Sequence, residues 1–281
     1  MKVLVTGFNG QLGYDVVKEL TSRSIECIGV DLQDFDITDR KQTVDFVKNY
    51  NPDVIVHCAA YTAVDKAEDD ADTCRKVNVD GSENLALAAK EIGAKMLYVS
   101  TDYVYGGAGD TPFEVTDPTD PKSVYGKTKL EGEEAVKKHL DNYFIVRTSW
   151  VFGINGNNFV KTMLRLGAER DELSVVCDQI GSPTYTPDLA RLICDIVMTE
   201  KYGTYHGTNE NYCSWAEFAE AIMTLGNRKA KIKPIPSSEY PAKAQRPLNS
   251  RLSKDCLDRA GIDRLPTWQD ALERYIKELG L

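Results

Sequence analysis

The chain has 281 residues, enough for one large domain or two modest ones, with 42% hydrophobic and 27% charged residues. This composition excludes a disordered chain, and no apolar run approaches the roughly 18–20 residues that a membrane helix needs. Lys and Arg number 34 against 43 Asp and Glu, a formal charge of −9. General nucleic-acid binding needs a basic surface, so neither a nucleic acid nor a membrane is expected as partner.

The seven cysteines show no C-x-x-C spacing, and Cys27, Cys58 and Cys194 lie inside apolar stretches. They read as free thiols in a reducing cytoplasm. His57, His139 and His206 are far apart, so no metal site is expected. The apolar run before Gly7 is too short for a signal-peptide core.

In chain order, Lys2–Thr6 is a β-branched apolar run typical of a buried parallel strand. Gly10–Leu20 reads as a helix and Ile25–Val30 as a second strand. Thr38–Tyr50 reads as a helix with Asp36 or Thr38 as its N-cap. Asp53–Cys58 is a third strand, Asp70–Ile92 a long helix and Lys95–Ser100 a fourth strand. Beyond a Gly/Pro-rich loop, Val124–His139 is helical and Tyr143–Thr148 is a strand. This alternation predicts an α/β fold, a doubly wound parallel sheet of Rossmann type with right-handed crossovers. The second half is less regular. Asn158–Glu169, Pro187–Thr199, Ser214–Thr224 and Thr267–Leu279 read as helices, and Ser214 with Glu217 forms a capping box. A smaller, mostly helical domain sharing a cleft with the sheet follows from this.

The first strand runs into Gly7-Phe8-Asn9-Gly10-Gln11-Leu12-Gly13, with the glycines spaced G-x-x-G-x-x-G. Gly7 permits a tight turn, Gly10 lets the backbone approach a pyrophosphate, and Gly13 lets the helix pack closely. The helix N-terminus then offers free N–H groups to phosphate. Asp31 follows the second strand, 18 residues after Gly13. A carboxylate there accepts hydrogen bonds from ribose hydroxyls and repels a 2′-phosphate, which favours NADH over NADPH. Asp36-Ile37 is placed to flank the adenine. Ala59-Ala60-Tyr61 follows the third strand, with small residues that permit close approach of the cofactor phosphates.

Tyr125 and Lys129 stand four apart on a predicted helix and so share a face. Tyr14 and Lys18 make a second such pair, but nothing else converges on it. The fourth strand ends in Thr101-Asp102-Tyr103, and ligands of open α/β sheets bind at the carboxyl ends of strands. Reducing a ketone requires a hydride and a proton for the developing alkoxide. Tyrosine ordinarily titrates near 10, and a nearby Lys129 ammonium is expected to lower that value and to hold ribose hydroxyls. Thr101 can hydrogen-bond and orient the carbonyl oxygen.

Together these residues resemble an extended short-chain dehydrogenase/reductase. YVSTDYVYGG, VYGKTKLEGE, RTSWVFG, DQIGSPTYTPDLA, GTYHGTNENYCSWAEFA and QRPLNSRL resemble the dTDP-4-dehydrorhamnose reductases, from Met1 to about Trp268. That family reduces the C4 ketone of dTDP-4-dehydro-β-L-rhamnose with NADPH or NADH. The resemblance implies Tyr125 as proton donor, Lys129 as its partner and Thr101 as the polarising hydroxyl. It implies a cofactor site of Gly7, Asn9, Gly10, Gln11, Leu12, Gly13, Asp31, Asp36, Ile37, Ala59, Ala60 and Tyr61, with Tyr125 and Lys129. Asp102, Tyr103 and Trp150 should touch the sugar or nucleotide. The expected division gives residues 1–150 plus about 183–200 to the dinucleotide and about 151–182 plus 201–281 to the nucleotide sugar. Oligomeric state is open, with a homodimer as one form.

Residues 228–254 carry eight basic residues against Glu239 alone, a local charge of +7. Such a field suits an anionic nucleotide-diphosphate sugar, and Arg246 in the RPLNS stretch can fork onto a diphosphate oxygen. A glucose 4,6-dehydratase would need a glutamate where Tyr103 stands. A nucleotide-sugar 4-epimerase also uses Tyr and Lys and stays open, as does a non-catalytic subunit resembling the β subunit of methionine adenosyltransferase.

Overall fold

A computed structural model describes residues 1–281. The first half runs β1 (Lys2–Thr6), α1 (Gln11–Ser22), β2 (Glu26–Val30), α2 (Arg40–Tyr50) and β3 (Val54–His57). Two short helices, α3 (Val64–Ala67) and α4 (Ala71–Arg75), lead through a π-helical turn at Lys76–Asp80 into α5 (Gly81–Ile92). Then come β4 (Lys95–Thr101), α6 (Val124–His139) and β5 (Tyr143–Thr148). The second half holds β6 (Val151–Phe152), α7 (Phe159–Glu169), β7 (Glu172–Val176), β8 (Ile180–Gly181), β9 (Thr184–Tyr185) and α8 (Thr186–Val197). It continues with β10 (Gly203–His206), β11 (Cys213–Ser214), α9 (Trp215–Leu225), β12 (Lys231–Ile235), β13 (Asn249–Ser250), α10 (Asp255–Ala260) and α11 (Trp268–Glu278).

Six strands form one parallel sheet in the order β10-β5-β4-β3-β1-β2. The chain winds from β1 outward to β2, then returns to the other side for β3. The order therefore reverses between β1 and β3, and the crevice beyond their carboxyl ends is where such sheets bind ligands. Val3, Val5, Val56, Phe144 and Val146 pack with Leu12, Val16 and Leu20 of α1 and Leu189, Leu192 and Ile193 of α8. Leu4, Ile55, Met96 and Ile145 on the opposite face pack with Leu85 and Ala89 of α5 and Val136 of α6. Both faces are thus buried, as the continuous apolar runs require. A separate core of Phe152, Val160, Phe218, Trp268 and Tyr275 joins α7, α9 and α11.

The expected fold stands, with four corrections. The α2 N-cap is Asp39, which accepts from Gln42 N. Asp36 instead holds the amide and hydroxyl of Thr38 in a local turn. The helix expected over Asp70–Ile92 is interrupted by the π-helical turn, which aims the Asn78 side chain at both backbone groups of Tyr61. The boundary at residue 201 assigned β10 to the smaller part, but β10 pairs with β5, and Cys256 and Leu257 of α10 join the sheet's core. The smaller part also holds strand pairs that the helical reading omits, β7 with β12 and β8 between β11 and β13. No helix is long and apolar enough to cross a membrane. All seven cysteines are free.

A buried polar chain ties together the strand ends that frame the crevice. Glu133 of α6, fully buried, takes Arg147 Nε at 2.9 Å, Arg147 Nη2 at 2.7 Å and Ser100 Oγ at 2.5 Å. Arg147 Nη1 donates to Tyr105 Oη at 2.6 Å, and that hydroxyl meets His206 Nε2 at 2.7 Å. The network therefore spans β4, α6, β5 and β10. Removing one member leaves a buried charge unpaired. Glu133→Ala should lower the unfolding free energy by about 3–5 kcal/mol in urea titration. A loss below about 1 kcal/mol would show that the network does not hold the strand ends.

Candidate active site

The glycine turn forms where β1 ends. Gly7 has φ of +72°, and a Cβ there would lie 2.6 Å from Ala59 N. A Cβ at Gly13 would collide with Gly7 O. Gly10 is the N-cap of α1 in an extended conformation, and no side chain caps that helix end. Backbone, open space and uncapped amides together make a cradle that fits a dinucleotide pyrophosphate.

The cradle opens into a cleft of about 660 Å³, a volume usual for cofactor and substrate sites. Gly7, Gly10, Gln11, Leu12 and Gly13 line one end, with Asp31, Asp36, Ile37, Ala59 and Ala60. Thr101, Asp102, Tyr103, Tyr125, Lys129 and Trp150 line the other. Three expected residues lie elsewhere. Asn9 turns its amide to Gln33 and its backbone N–H to Asp31. Tyr61 lies outside the lining, with both backbone groups bonded to Asn78. Arg246 lines a smaller hollow of about 150 Å³ beside Tyr103. It donates to Asp65 Oδ2 at 2.6 Å and to Tyr103 Oη at 3.3 Å. Tyr14 and Lys18 have no place in the cleft, and Lys18 pairs with Glu278.

At the strand end, Thr101 Oγ donates to Asp102 Oδ1 at 2.9 Å and accepts from Tyr103 N at 3.2 Å. Asp102 is 3% exposed and its Oδ2 has no partner. Burial pushes this carboxyl up to about 6, against which the Ser250 and Thr101 hydroxyls work only in part. The rings of Tyr103 and Tyr125 meet edge to face at 5.5 Å. Burial raises the Tyr125 phenol well above its ordinary value, with the Thr101 hydroxyl the main opposing influence. The expected lowering by Lys129 is absent: desolvation dominates, and the nearby charges that act on the phenol, Asp102 first, raise it further. A phenol so placed is protonated at neutral pH and is a source of one proton.

Lys129 is 2% exposed, and burial pulls its ammonium down to about 7. Its neighbour one turn on, Glu133, is committed to Arg147. Burial also drives His57 down to about 3, so this imidazole is neutral between Thr6 and Ser82.

The sequence reading missed Trp215, Phe35, Thr148 and Ser149, all in the cleft wall. Trp215 begins α9 directly after the N-cap Ser214, inside the capping box, a position with no pattern that points into a cleft. Its ring stacks on Trp150 at 3.8 Å and 15°. Trp150 takes a left-handed backbone, φ of +51°, a conformation that costs a bulky residue about 1–3 kcal/mol. Thr148, opposite Thr101 in the register, leaves its hydroxyl buried without a partner.

Gln11 connects the glycine turn to the smaller part. Its Oε1 accepts from Gly153 N and Asn158 Nδ2, each at 3.0 Å. The basic run at 228–254 does not present one positive face. Lys243 pairs with Asp69, Arg246 with Asp65, and Lys254 is buried over the Tyr212 ring.

A family model described as the RmlD substrate binding domain matches residues 1–281. The spore coat polysaccharide biosynthesis protein SpsK of Bacillus subtilis is 42% identical, over 99% of this chain and 97% of that one. The crystal structure of a dTDP-4-dehydrorhamnose reductase from Clostridium acetobutylicum superposes with a TM-score of 0.98 at 44% identity, covering 100% of both chains. That of a dTDP-4-dehydrorhamnose reductase from Bacillus anthracis in complex with NADP superposes with a TM-score of 0.96 at 44% identity, over 99% of this chain and 100% of that one. With one cleft joining the phosphate cradle to the Thr101, Tyr125 and Lys129 side chains, the chain belongs to the RmlD substrate-binding domain family.

Proposed function

We propose that this chain is an oxidoreductase that reduces the C4 ketone of dTDP-4-dehydro-β-L-rhamnose to dTDP-L-rhamnose with NADPH or NADH. The observation that carries this reading is the single cleft in which a phosphate cradle faces a protonated phenol, a hydroxyl and a buried ammonium. Relatives 44% identical over essentially the whole chain and called dTDP-4-dehydrorhamnose reductases supply the substrate.

A bound nicotinamide dinucleotide supplies the hydride. Gly7, Gly10, Gln11, Leu12 and Gly13 would hold its pyrophosphate, with Asn9 shaping the turn. Asp36 and Ile37 would flank its adenine, Ala59 and Ala60 its phosphates, and Lys129 would donate to ribose hydroxyls. Asp31 suits ribose hydroxyls, which supports NADH, whereas the NADP complex of the Bacillus anthracis relative supports NADPH. We take both to be used.

Thr101 has one hydroxyl proton, which it donates to Asp102 Oδ1 in this structure. On substrate binding that hydroxyl turns to the ketone oxygen and orients it. Tyr125 then delivers its proton to the oxygen that leaves the reaction as a hydroxyl. Asp102 Oδ2 and Thr148 Oγ, both without partners, are fitted to sugar hydroxyls. Trp150 and Tyr103 would pack against the sugar or nucleotide. Arg246 would exchange Asp65 for a diphosphate oxygen.

Substrate-dependent loss of reduced-nicotinamide absorbance, with dTDP-L-rhamnose as product, tests the reading. A folded protein that binds dinucleotide and consumes none with this substrate would overturn it. Tyr125→Phe should leave dinucleotide affinity unchanged and reduce turnover by about 10²–10⁴. Full turnover in that variant would remove Tyr125 as proton donor.

Lys129→Met should abolish turnover and yet stabilise the fold. The folded value of about 7 lies below the ordinary 10.5, so burying the charge costs stability at neutral pH, and this cost fades as pH rises toward 10.5. Melting temperatures across pH should show the variant ahead by a few degrees near pH 7 and level with the parent near pH 10. An equal gap at both pH values would contradict the buried charge.

A further inference from the structure

Lys129 lies in the protein interior without an acidic partner. No ion pair or hydrogen bond is made by its Nζ, although the residue is only 2% exposed. The groups that face it come from four elements. From its own helix, α6, come Tyr125, which is protonated, and Glu133, whose oxygens are taken by Arg147 and Ser100. From β3 and the residue after it come His57, which is neutral, and Cys58, whose thiol burial pushes up to about 12. From α4 comes Cys74, also pushed up by burial. From β4 comes Tyr98, with the Lys129 ammonium over its ring, 4.0 Å from the centroid.

Glu133 acts on the ammonium through space, but its oxygens are bonded elsewhere, and the π face of Tyr98 is the group with negative electrostatic potential in direct contact with the ammonium. The ring is held in register. Tyr98 is fully buried, and its hydroxyl donates to Lys129 O at 3.3 Å and Asn78 O at 3.5 Å. Gly132 leaves the room, since a Cβ there would collide with that hydroxyl. The His57 ring lies 5.5 Å from the Tyr98 ring.

We propose that Tyr98 is a positioning residue for the reduction, its ring face standing in for the carboxylate that Lys129 lacks and holding the ammonium toward the cleft. This rests on the reading of Lys129 as the residue that anchors the dinucleotide beside Tyr125. The aromatic face, not the hydroxyl, is what matters. It stabilises the cation without offering an acceptor that would compete with ribose hydroxyls for the ammonium's three N–H groups.

The test keeps ring size nearly constant and changes the face. Tyr98→Phe comes first, followed by phenylalanines with one, two and three ring fluorines at position 98. Two quantities are read for each folded protein, the Lys129 titration by NMR of labelled lysine and the dissociation constant for NADPH. Tyr98→Phe should match the parent in both. Each fluorine weakens the ring face, so the midpoint should fall stepwise, by about one pH unit over the series, with affinity weakening by about tenfold. A flat titration across the series overturns the role of Tyr98. A stepwise fall in the titration with unchanged NADPH affinity overturns it too, because the contact would then be local and without consequence for the site. The underlying reading fails separately, if Lys129→Met reduces substrate at the parent rate.

Discussion

Lys129 brings an ammonium into an interior where only 2% of the residue is exposed, and no carboxylate meets it. An isolated buried cation is costly in a low-dielectric surrounding, and a carboxylate partner would be the ordinary remedy. Here the neighbours are kept neutral or committed elsewhere. His57 is neutral between two hydroxyls, Cys58 and Cys74 are held as thiols, and Glu133 is bonded to Arg147. The consequence is an ammonium with free N–H groups, next to a phenol that burial keeps protonated.

That arrangement depends on where the sheet puts its strand ends. β1 and β3 flank the reversal of strand order, so the glycine cradle and Ala59-Ala60 lie on either side of one crevice. β4 ends next to them with Thr101, and α6 returns over the sheet with Tyr125 and Lys129. The Glu133–Arg147–Tyr105–His206 chain fixes α6 to β5 and β10. Gln11 extends this rigidity across the cleft by bonding Gly153 and Asn158 of the smaller part. The left-handed Trp150, stacked on Trp215, is the strained element in the wall, as residues at ligand clamps often are.

Much of this was legible in the residues. Strands buried on both faces are continuous apolar runs, and the first five elements of the sheet stand within a residue or two of where those runs place them. The Ser214–Glu217 capping box forms as read. The glycine spacing, Thr101, Tyr125 and Lys129 converge because each is tied to the end or the start of a regular element. What was not legible depends on tertiary contact. β10 is a four-residue strand at a sheet edge, and its sequence GTYH has no pattern that tells one domain from another. The π-helical turn follows from Asn78 reaching Tyr61, which no local propensity encodes. Arg246 faces Asp65 and Lys243 faces Asp69, each far from its partner in sequence, so the basic run looked stronger than it is. Trp215 enters the cleft only because α9 packs beside Trp150.

The chemistry of the cleft depends on the charge states of two side chains, a protonated Tyr125 and a cationic Lys129 with no acidic partner. Neutron diffraction from deuterated crystals of the protein with bound NADPH near pH 6, below the Lys129 value of about 7, reads both directly. The expected result is a deuteron on the Tyr125 hydroxyl and a fully deuterated Lys129 ammonium over the Tyr98 ring. A Tyr125 phenolate, or a neutral Lys129 amine, would contradict it.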